Sequence, residues 1–384
     1  MENNIINSAD VQTFELDKFT YPIWKEDISY AEATFVRENE NGIIEPLQLL
    51  YPIDEIISVR SYDLKTLYEE GKDYKLTADG KIEIVEGGRI PFLAFKDYIF
   101  DEGGVSLAEG TPINYAEHPG KKLVYGEISM PSGGISQWVL AVTYKHSAKS
   151  VVNIPASKKE NFASIINKLT AGESINVVSI GDSITEGWSS TKLKGKRAPF
   201  CPPYNELFVN YLEAKFPKAK INFFNQGVSG TCTDKANTDN IIAENPDLLM
   251  IAYGMNDGCG RAPDIYVNDI ANIIKKVAEA CPDVTVLVVG TCLPNKDMSW
   301  GVGGPSILKY HTDYPAALNE AEKTWRAEGY NVSYADVTTA NVEMFQRKAY
   351  QDVSGSNSNH PNDYMHRVYA QTLIRTIFGD YLAK

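Results

Sequence analysis

Ser183 is the residue of this chain whose position most directly suggests chemistry. It follows Gly181 and Asp182, and the apolar, β-branched run 175–179 leads into these residues. A strand that breaks at Gly-Asp-Ser and continues as a helix would place a hydroxyl at the carboxyl edge of a sheet. A serine there could be the nucleophile of an acyl transfer, or it could simply cap the helix that follows.

Three further polar blocks occupy comparable places in the second half of the chain. Gly227 and Asn256 each follow a predicted strand, and His360 precedes the predicted closing helix. Because the carboxyl ends of parallel strands meet at one edge of a sheet, we expect these residues to converge on Ser183. A neutral imidazole can take the proton of a serine, and N–H donors can stabilise the oxyanion that acyl transfer develops.

The elements that must position these residues change character near residue 150. After it, predicted strands alternate with helices, which is typical of a parallel, doubly wound sheet. The strands are predicted at 175–179, 220–224, 247–253, 284–289 and 332–335, and the main helices at 158–169, 204–216 and 364–381. Before residue 150, short β-rich runs separated by turn residues predict an antiparallel β-sandwich of jelly-roll type. We therefore expect two domains, 1–150 and 151–384.

Taken together, the four blocks resemble those of the SGNH hydrolases, also called GDSL-type esterases. The resemblance implies a flavodoxin-like, three-layer α/β/α fold, with Ser183 as the nucleophile and His360 as the general base. It implies an oxyanion hole made by the backbone N–H groups of Ser183 and Gly227 and by the side-chain amide of Asn256. It implies no metal ion and no other cofactor.

One position departs from the pattern of that family. The family usually has an aspartate three residues before the catalytic histidine, and this chain has Asn357 there. In a serine protease, exchange of the triad aspartate for asparagine lowers turnover by about 10⁴-fold. Either a backbone carbonyl orients His360 in a Ser–His dyad, or Asp352 or Asp363 takes the part of the missing acid. We favour the dyad, because some two-domain carbohydrate acetylesterases of the superfamily use one.

Two tryptophans suggest the class of substrate. Trp188 and Trp300 lie in loops on the predicted active-site edge, where an indole could stack on a sugar face or could instead anchor its own loop. A β-sandwich in front of an SGNH domain also looks like the architecture of carbohydrate acetylesterases. We therefore expect an esterase that removes O-acetyl groups from an oligosaccharide or glycan through an acyl-enzyme.

Two other functions compete with this interpretation. A lipase, thioesterase or arylesterase of the same superfamily would need a wide apolar acyl pocket, whereas the residues near the motifs are mostly polar. A glycan-binding protein with an inactive catalytic remnant is supported by Asn357 alone.

Composition restricts the partners and the location. The net charge is −13, and residues 1–150 carry 25 acidic against 14 basic side chains, so a nucleic-acid partner is disfavoured. The segment 1–8 lacks the features of a signal peptide, and no apolar run is long enough to span a membrane, which predicts a cytoplasmic protein. The first domain could bind glycan, brace the active site or mediate a homo-oligomer.

Overall fold

The computed structural model describes residues 15–381 of the chain. The segment 1–8, on which the prediction about a signal peptide rests, lies outside the described residues. Up to residue 150, the described chain consists of short strands with two one-turn α-helices. In chain order these are α1 (Leu16–Phe19), β1 (Ile28–Phe35), β2 (Glu55–Ser61), β3 (Leu67–Tyr68), β4 (Tyr74–Leu76), β5 (Ile82–Ile84), α2 (Phe95–Tyr98), β6 (Ile99–Asp101), β7 (Ile113–Tyr115), β8 (Lys121–Leu123) and β9 (Val139–Lys145).

After residue 150, longer helices alternate with strands. In chain order they are α3 (Ala163–Ala171), β10 (Ile175–Gly181), α4 (Ser183–Glu186), α5 (Tyr204–Lys215), β11 (Ile221–Gly227), α6 (Thr238–Ala243), β12 (Leu248–Ala252), α7 (Pro263–Ala280), β13 (Thr285–Val289), β14 (Met298–Ser299), α8 (Tyr314–Ala327), β15 (Val332–Ala335), α9 (Val337–Met344) and α10 (Asp363–Phe378). The closing helix ends earlier than predicted, because Gly379 follows it with a positive φ of 75°, a conformation that suits glycine.

Five of these strands form one parallel sheet in the order β11-β10-β12-β13-β15. At its carboxyl edge, Gly181 of β10 pairs with Gly227 of β11 on one side and with Ala252 of β12 on the other. The loops that follow these three strands therefore lie next to one another. The prediction of a parallel α/β sheet is confirmed.

Alternate residues of the sheet pack against different helices. Val177, Leu248 and Leu287 belong to the hydrophobic cluster that also contains α3, α5 and α10 residues. Val178 and Leu249 belong to the cluster formed with α6, α7 and α8 residues. The second part is therefore a three-layer α/β/α sandwich, and its strands are apolar on both faces as buried parallel strands must be.

The first part contains small antiparallel sheets, as expected, and they adjoin the second part closely. One sheet has the order β1-β9-β2-β3, and another has the order β14-β7-β8-β6, in which β14 comes from the second part. The larger hydrophobic cluster also includes residues of both parts. A fully buried ion pair of 2.7 Å joins Glu32 of β1 to Lys348. The jelly-roll connectivity and the division at residue 150 stay predictions.

None of the helices within residues 15–381 combines the length and the hydropathy that crossing a membrane requires.

Candidate active site

Ser183 is the first residue of α4, directly after β10. Asp182 caps this helix, because its Oδ1 accepts a hydrogen bond of 2.9 Å from the backbone N–H of Ile184. Gly181 has no room for a side chain, since a Cβ there would overlap Thr185 Oγ1. The capping role considered for Ser183 is thus filled by Asp182, and the Ser183 hydroxyl has a different partner.

That partner is His360, whose Nε2 lies 2.9 Å from Ser183 Oγ. A backbone hydrogen bond stabilises the loop that carries His360, since the N–H of Gly355 donates to the His360 carbonyl at 2.9 Å. The imidazole also stacks on Trp188, with ring centroids 5.5 Å apart and planes inclined by 25°. The structure therefore brings Ser183 and His360 into the geometry in which an imidazole can take the serine proton.

The other nitrogen of this imidazole contacts a residue that the sequence analysis did not consider. His360 Nδ1 lies 2.6 Å from Oε1 of Glu127, which follows β8 in the first part of the chain and is 2% exposed. Because a carboxylate can only accept a hydrogen bond, Nδ1 carries the hydrogen. Nε2 is then left as the acceptor for the Ser183 hydroxyl.

Burial and three acidic side chains act on the pKa of His360 in opposite directions. Burial lowers it, because burial disfavours the charged imidazolium. The Glu127 carboxylate raises it most, Asp182 and Glu186 add to that effect, and the pKa of His360 ends above its ordinary value of 6.5. As the pH falls, the neutral base is therefore lost at a higher pH than in an ordinary histidine.

Asn256 lies in the turn that follows β12. Its Nδ2 donates one hydrogen bond of 2.9 Å to the carbonyl of Thr231. An amide nitrogen carries two hydrogens, so the second can face a substrate oxygen. The neighbouring Asp257 is fully buried and accepts a hydrogen bond of 3.0 Å from the backbone N–H of Thr233, which ties the loops after β11 and β12 together.

Gly227, which was expected to donate its backbone N–H to the oxyanion, is arranged differently. Its N–H donates a hydrogen bond of 3.0 Å to Asn225 Oδ1. A Cβ at this position would overlap the backbone of Thr185 and Glu186. The structure thus requires glycine at position 227 because β11 and α4 approach closely. Its N–H, which was expected to donate to the oxyanion, is hydrogen-bonded to Asn225 instead.

Gly230, the second glycine of this block, is another candidate donor to the oxyanion. Each of its two chain neighbours is hydrogen-bonded to a residue of another segment near Ser183. The Ser229 N–H donates to Glu186 at 2.9 Å, and the Thr231 carbonyl accepts from Asn256. Within residues 15–381, the Gly230 N–H donates no hydrogen bond. The block Gly-Val-Ser-Gly contains both glycines, and its sequence alone does not distinguish them.

The two tryptophans differ in their surroundings. Trp188 packs on His360, has Lys194 Nζ 4.9 Å above its ring centroid, and accepts a hydrogen bond of 3.0 Å from His366 Nε2 on its carbonyl. His366 is fully buried, and burial lowers its pKa to about 4. Trp188 therefore supports the His360 imidazole, whereas the side chain of Trp300 is largely open to solvent, with the residue 63% exposed.

The sequence of this region matches one family model. Residues 179–368 match the model of the GDSL-like lipase/acylhydrolase family. This part of the chain is a GDSL-like lipase/acylhydrolase domain. The domain contains Ser183, Asn256 and His360, and it begins well after Glu127.

The structure is similar in part to solved structures. A two-domain esterase named CEX, active on acetylated mannans, is 19% identical with a TM-score of 0.42, over 58% of this chain and 53% of that chain. Axe2, an acetylxylan esterase from Geobacillus stearothermophilus, is 19% identical with a TM-score of 0.40, over 53% of this chain and 94% of that chain. A member of the lipolytic G-D-S-L family from Veillonella parvula DSM 2008 is 21% identical with a TM-score of 0.39, over 53% of this chain and 98% of that chain. The match to CEX spans about half the length of that esterase. The comparison with curated proteins returns no match.

Two acids of the GDSL-like domain, Asp352 and Asp363, were considered for orienting His360. In the structure both accept hydrogen bonds from other groups. Asp352 accepts hydrogen bonds of 2.7 and 2.8 Å from two backbone N–H groups. Asp363 accepts from the backbone N–H and the hydroxyl of Thr191 at 2.9 and 2.7 Å. A dyad oriented by a backbone carbonyl is not observed either, because Glu127 occupies Nδ1. Each of these alternatives is therefore corrected by the structure.

Asn357, which stands where the family usually has the aspartate, does not orient the imidazole. Its environment needs an amide. Its Nδ2 donates a hydrogen bond of 2.8 Å to the carbonyl of Val124, and its Oδ1 accepts from Asn295 and Gln351 at 3.1 and 2.9 Å. A carboxylate could not donate to Val124. Residue 357 also has a φ of 67°, which asparagine tolerates better than most other residues.

Restoring the aspartate usual in the family, by Asn357→Asp, is expected to lower stability and activity instead of creating a triad. The new carboxylate would be fully buried and would face the Val124 carbonyl, and an unsatisfied buried group costs roughly 1–3 kcal/mol. Urea unfolding measures the stability, and turnover of p-nitrophenyl acetate measures the activity. The exposed Asn41→Asp is the matched control. Higher turnover with unchanged stability would show that an acid at residue 357 can serve His360.

Proposed function

We propose that this protein is a serine esterase that removes O-acetyl groups from a carbohydrate, either an oligosaccharide or a glycan. The observation that carries the proposal is the 2.9 Å contact between Ser183 Oγ and His360 Nε2, within a domain of an acyl-hydrolase family. A serine hydroxyl bonded to a neutral imidazole is the arrangement that makes serine nucleophilic.

In the first half of the reaction, Ser183 Oγ attacks the carbonyl carbon of the acetyl group while its proton passes to His360 Nε2. The carbonyl oxygen becomes an oxyanion, which the N–H groups of Ser183 and Gly230 and the amide of Asn256 stabilise. The Ser183 N–H suits this role because it belongs to the first turn of α4 and has no partner within the helix. The bond to the sugar oxygen then breaks, the imidazolium gives its proton to that oxygen, and Ser183 is left acetylated.

In the second half, His360 takes a proton from a water molecule, whose oxygen attacks the acetyl carbon. The same donors stabilise the second oxyanion. Its collapse breaks the ester bond to Ser183, returns the proton from His360 to Ser183 Oγ and releases acetic acid, which ionises to acetate in water. No group beyond those of the chain and the water takes part in these proton transfers.

Carbohydrate specificity is supported by the surroundings of the site. Trp300 presents an exposed indole in the loop after β14, and such a ring offers the flat apolar face on which sugars stack. The rim beside Ser183 is polar, because Glu186 forms an ion pair with Lys194 and accepts a hydrogen bond from the Ser229 N–H. A long acyl chain would need an apolar surface in that place.

A series of p-nitrophenyl esters of increasing chain length tests this proposal. We expect kcat/KM to be highest for acetate and to fall steadily toward octanoate, because the polar rim cannot solvate a long acyl chain. Acetate release from acetylated oligosaccharides, measured in parallel, should exceed that from simple acetyl esters. A rise in kcat/KM with chain length would favour a lipase, and absence of any serine-dependent hydrolysis would favour a binding protein.

A further inference from the structure

The imidazole of His360 is held between two side chains from different parts of the chain. Ser183, in the GDSL-like domain, is 2.9 Å from Nε2, and Glu127, in the first part, is 2.6 Å from Nδ1. The same ring therefore has a hydroxyl on one nitrogen and a carboxylate on the other. This is the pattern in which an acid orients a catalytic histidine.

Glu127 is itself held firmly in place. The Ser189 hydroxyl donates to its Oε2, and the Tyr125 hydroxyl donates to its Oε1 at 3.3 Å. The residue is 2% exposed, so water contributes little to the solvation of the carboxylate. A buried charge is tolerated when it is paired and hydrogen-bonded, and His360, Ser189 and Tyr125 supply those partners.

The backbone segments that carry Glu127 and His360 are bonded to each other as well. Gly126 N–H donates to the Ser356 carbonyl at 3.3 Å, and Asn357 donates to the Val124 carbonyl at 2.8 Å. The asparagine that replaces the usual aspartate therefore ties the histidine loop to the segment that carries the acid.

We propose that Glu127 is the positioning residue of His360, so that the first part of the chain completes the catalytic site of the GDSL-like domain. The proposal rests on the proposed serine esterase function. Glu127 accepts the hydrogen of Nδ1, which keeps Nε2 unprotonated toward Ser183, and it stabilises the imidazolium formed when the serine proton is transferred. The proton remains on the imidazole until it passes to the leaving oxygen.

Other titratable groups near the imidazole must be considered in any pH measurement. Asp182 and Glu186 of the α4 region raise the pKa of His360, and the buried His366 of α10 lies near it. Lys194 pairs with Glu186, and its Nζ lies over the Trp188 ring. A comparison of variants at residue 127 alone leaves all of these groups unchanged.

Replacement of Glu127 by glutamine tests the proposal, because it keeps the size of the side chain and removes its charge. We expect kcat for p-nitrophenyl acetate to fall on the order of 10³- to 10⁴-fold with little change in KM, since the imidazolium loses its acid partner. The acid limb of the kcat/KM profile should move to lower pH, because the largest influence that raises the pKa of His360 is then gone, while burial still lowers it and only Asp182 and Glu186 still raise it. Glu127→Asp should restore part of the activity, and Glu83→Gln on the exposed face of β5 is the control.

Two further measurements test the role of Glu127 separately from the esterase function. An NMR titration of the His360 imidazole, assigned with His360→Gln, should show a lower pKa in Glu127→Gln even if the protein hydrolyses no ester. If Glu127→Gln does not fold, Ser189→Ala loosens the same carboxylate and should lower kcat by a smaller factor. Unchanged kcat and an unchanged His360 titration in these variants would overturn the role of Glu127, whereas hydrolysis that survives Ser183→Ala would overturn the esterase function instead.

Discussion

Replacement of Ser183 by alanine is expected to abolish ester hydrolysis, with kcat lowered on the order of 10⁶-fold. Removal of the serine of another triad hydrolase has an effect of this size. Without Oγ no acyl-enzyme can form, and only the oxyanion donors remain to assist the direct attack of water. Ser183 is 4% exposed and lies at the start of a short helix that Asp182 caps. Alanine should therefore leave the fold intact.

Initial rates with p-nitrophenyl acetate measure this loss, and mass spectrometry after treatment with a serine-directed phosphonate measures labelling at residue 183. The exposed Ser147→Ala is the matched control and should retain both properties. A Ser183→Ala protein that still hydrolyses the ester at a wild-type rate, or a label on another serine, would show that the nucleophile lies elsewhere.

Replacement of His360 by alanine should have an effect of similar size, on the order of 10⁴- to 10⁶-fold in kcat, because the serine then has no base to take its proton. The double variant Ser183→Ala, His360→Ala should be no slower than the slower single variant. Residues that act as one unit lose their whole contribution when either is removed.

The exposed His118→Ala is the control for this experiment. Rates are compared at a pH well above the acid limb, so that protonation of the base does not contribute to the difference. Additive losses in the double variant would mean that Ser183 and His360 act independently, in conflict with the contact at 2.9 Å.

The architecture of the second part follows from local patterns. The apolar runs of β10, β12 and β13 are buried on both faces, and α7 presents one apolar side to the sheet. Each pattern involves residues close in sequence, so hydrophobic periodicity predicts it. The end of α10 was predicted less well, because a helix end depends on the conformation of one residue, here Gly379.

Within the site, the sequence motif could not predict which glycine after β11 has a free backbone N–H. Gly227 and Gly230 follow the same strand, and both could have supplied a backbone donor. Only the close packing of β11 against α4, together with the hydrogen bond from the Gly227 N–H to Asn225, distinguishes them. Such a choice depends on distances between segments, which a linear pattern does not contain.

By itself, the sequence determined where a serine, an amide and a histidine could meet, because parallel strands bring their carboxyl ends to one edge of a sheet. Only the tertiary structure decided which acid faces the histidine. Glu127 lies 233 positions from His360, in a part of the chain with a different architecture and no motif around it. Its contact with Nδ1 arises because the first part packs against the histidine loop, and neither spacing nor periodicity encodes that packing.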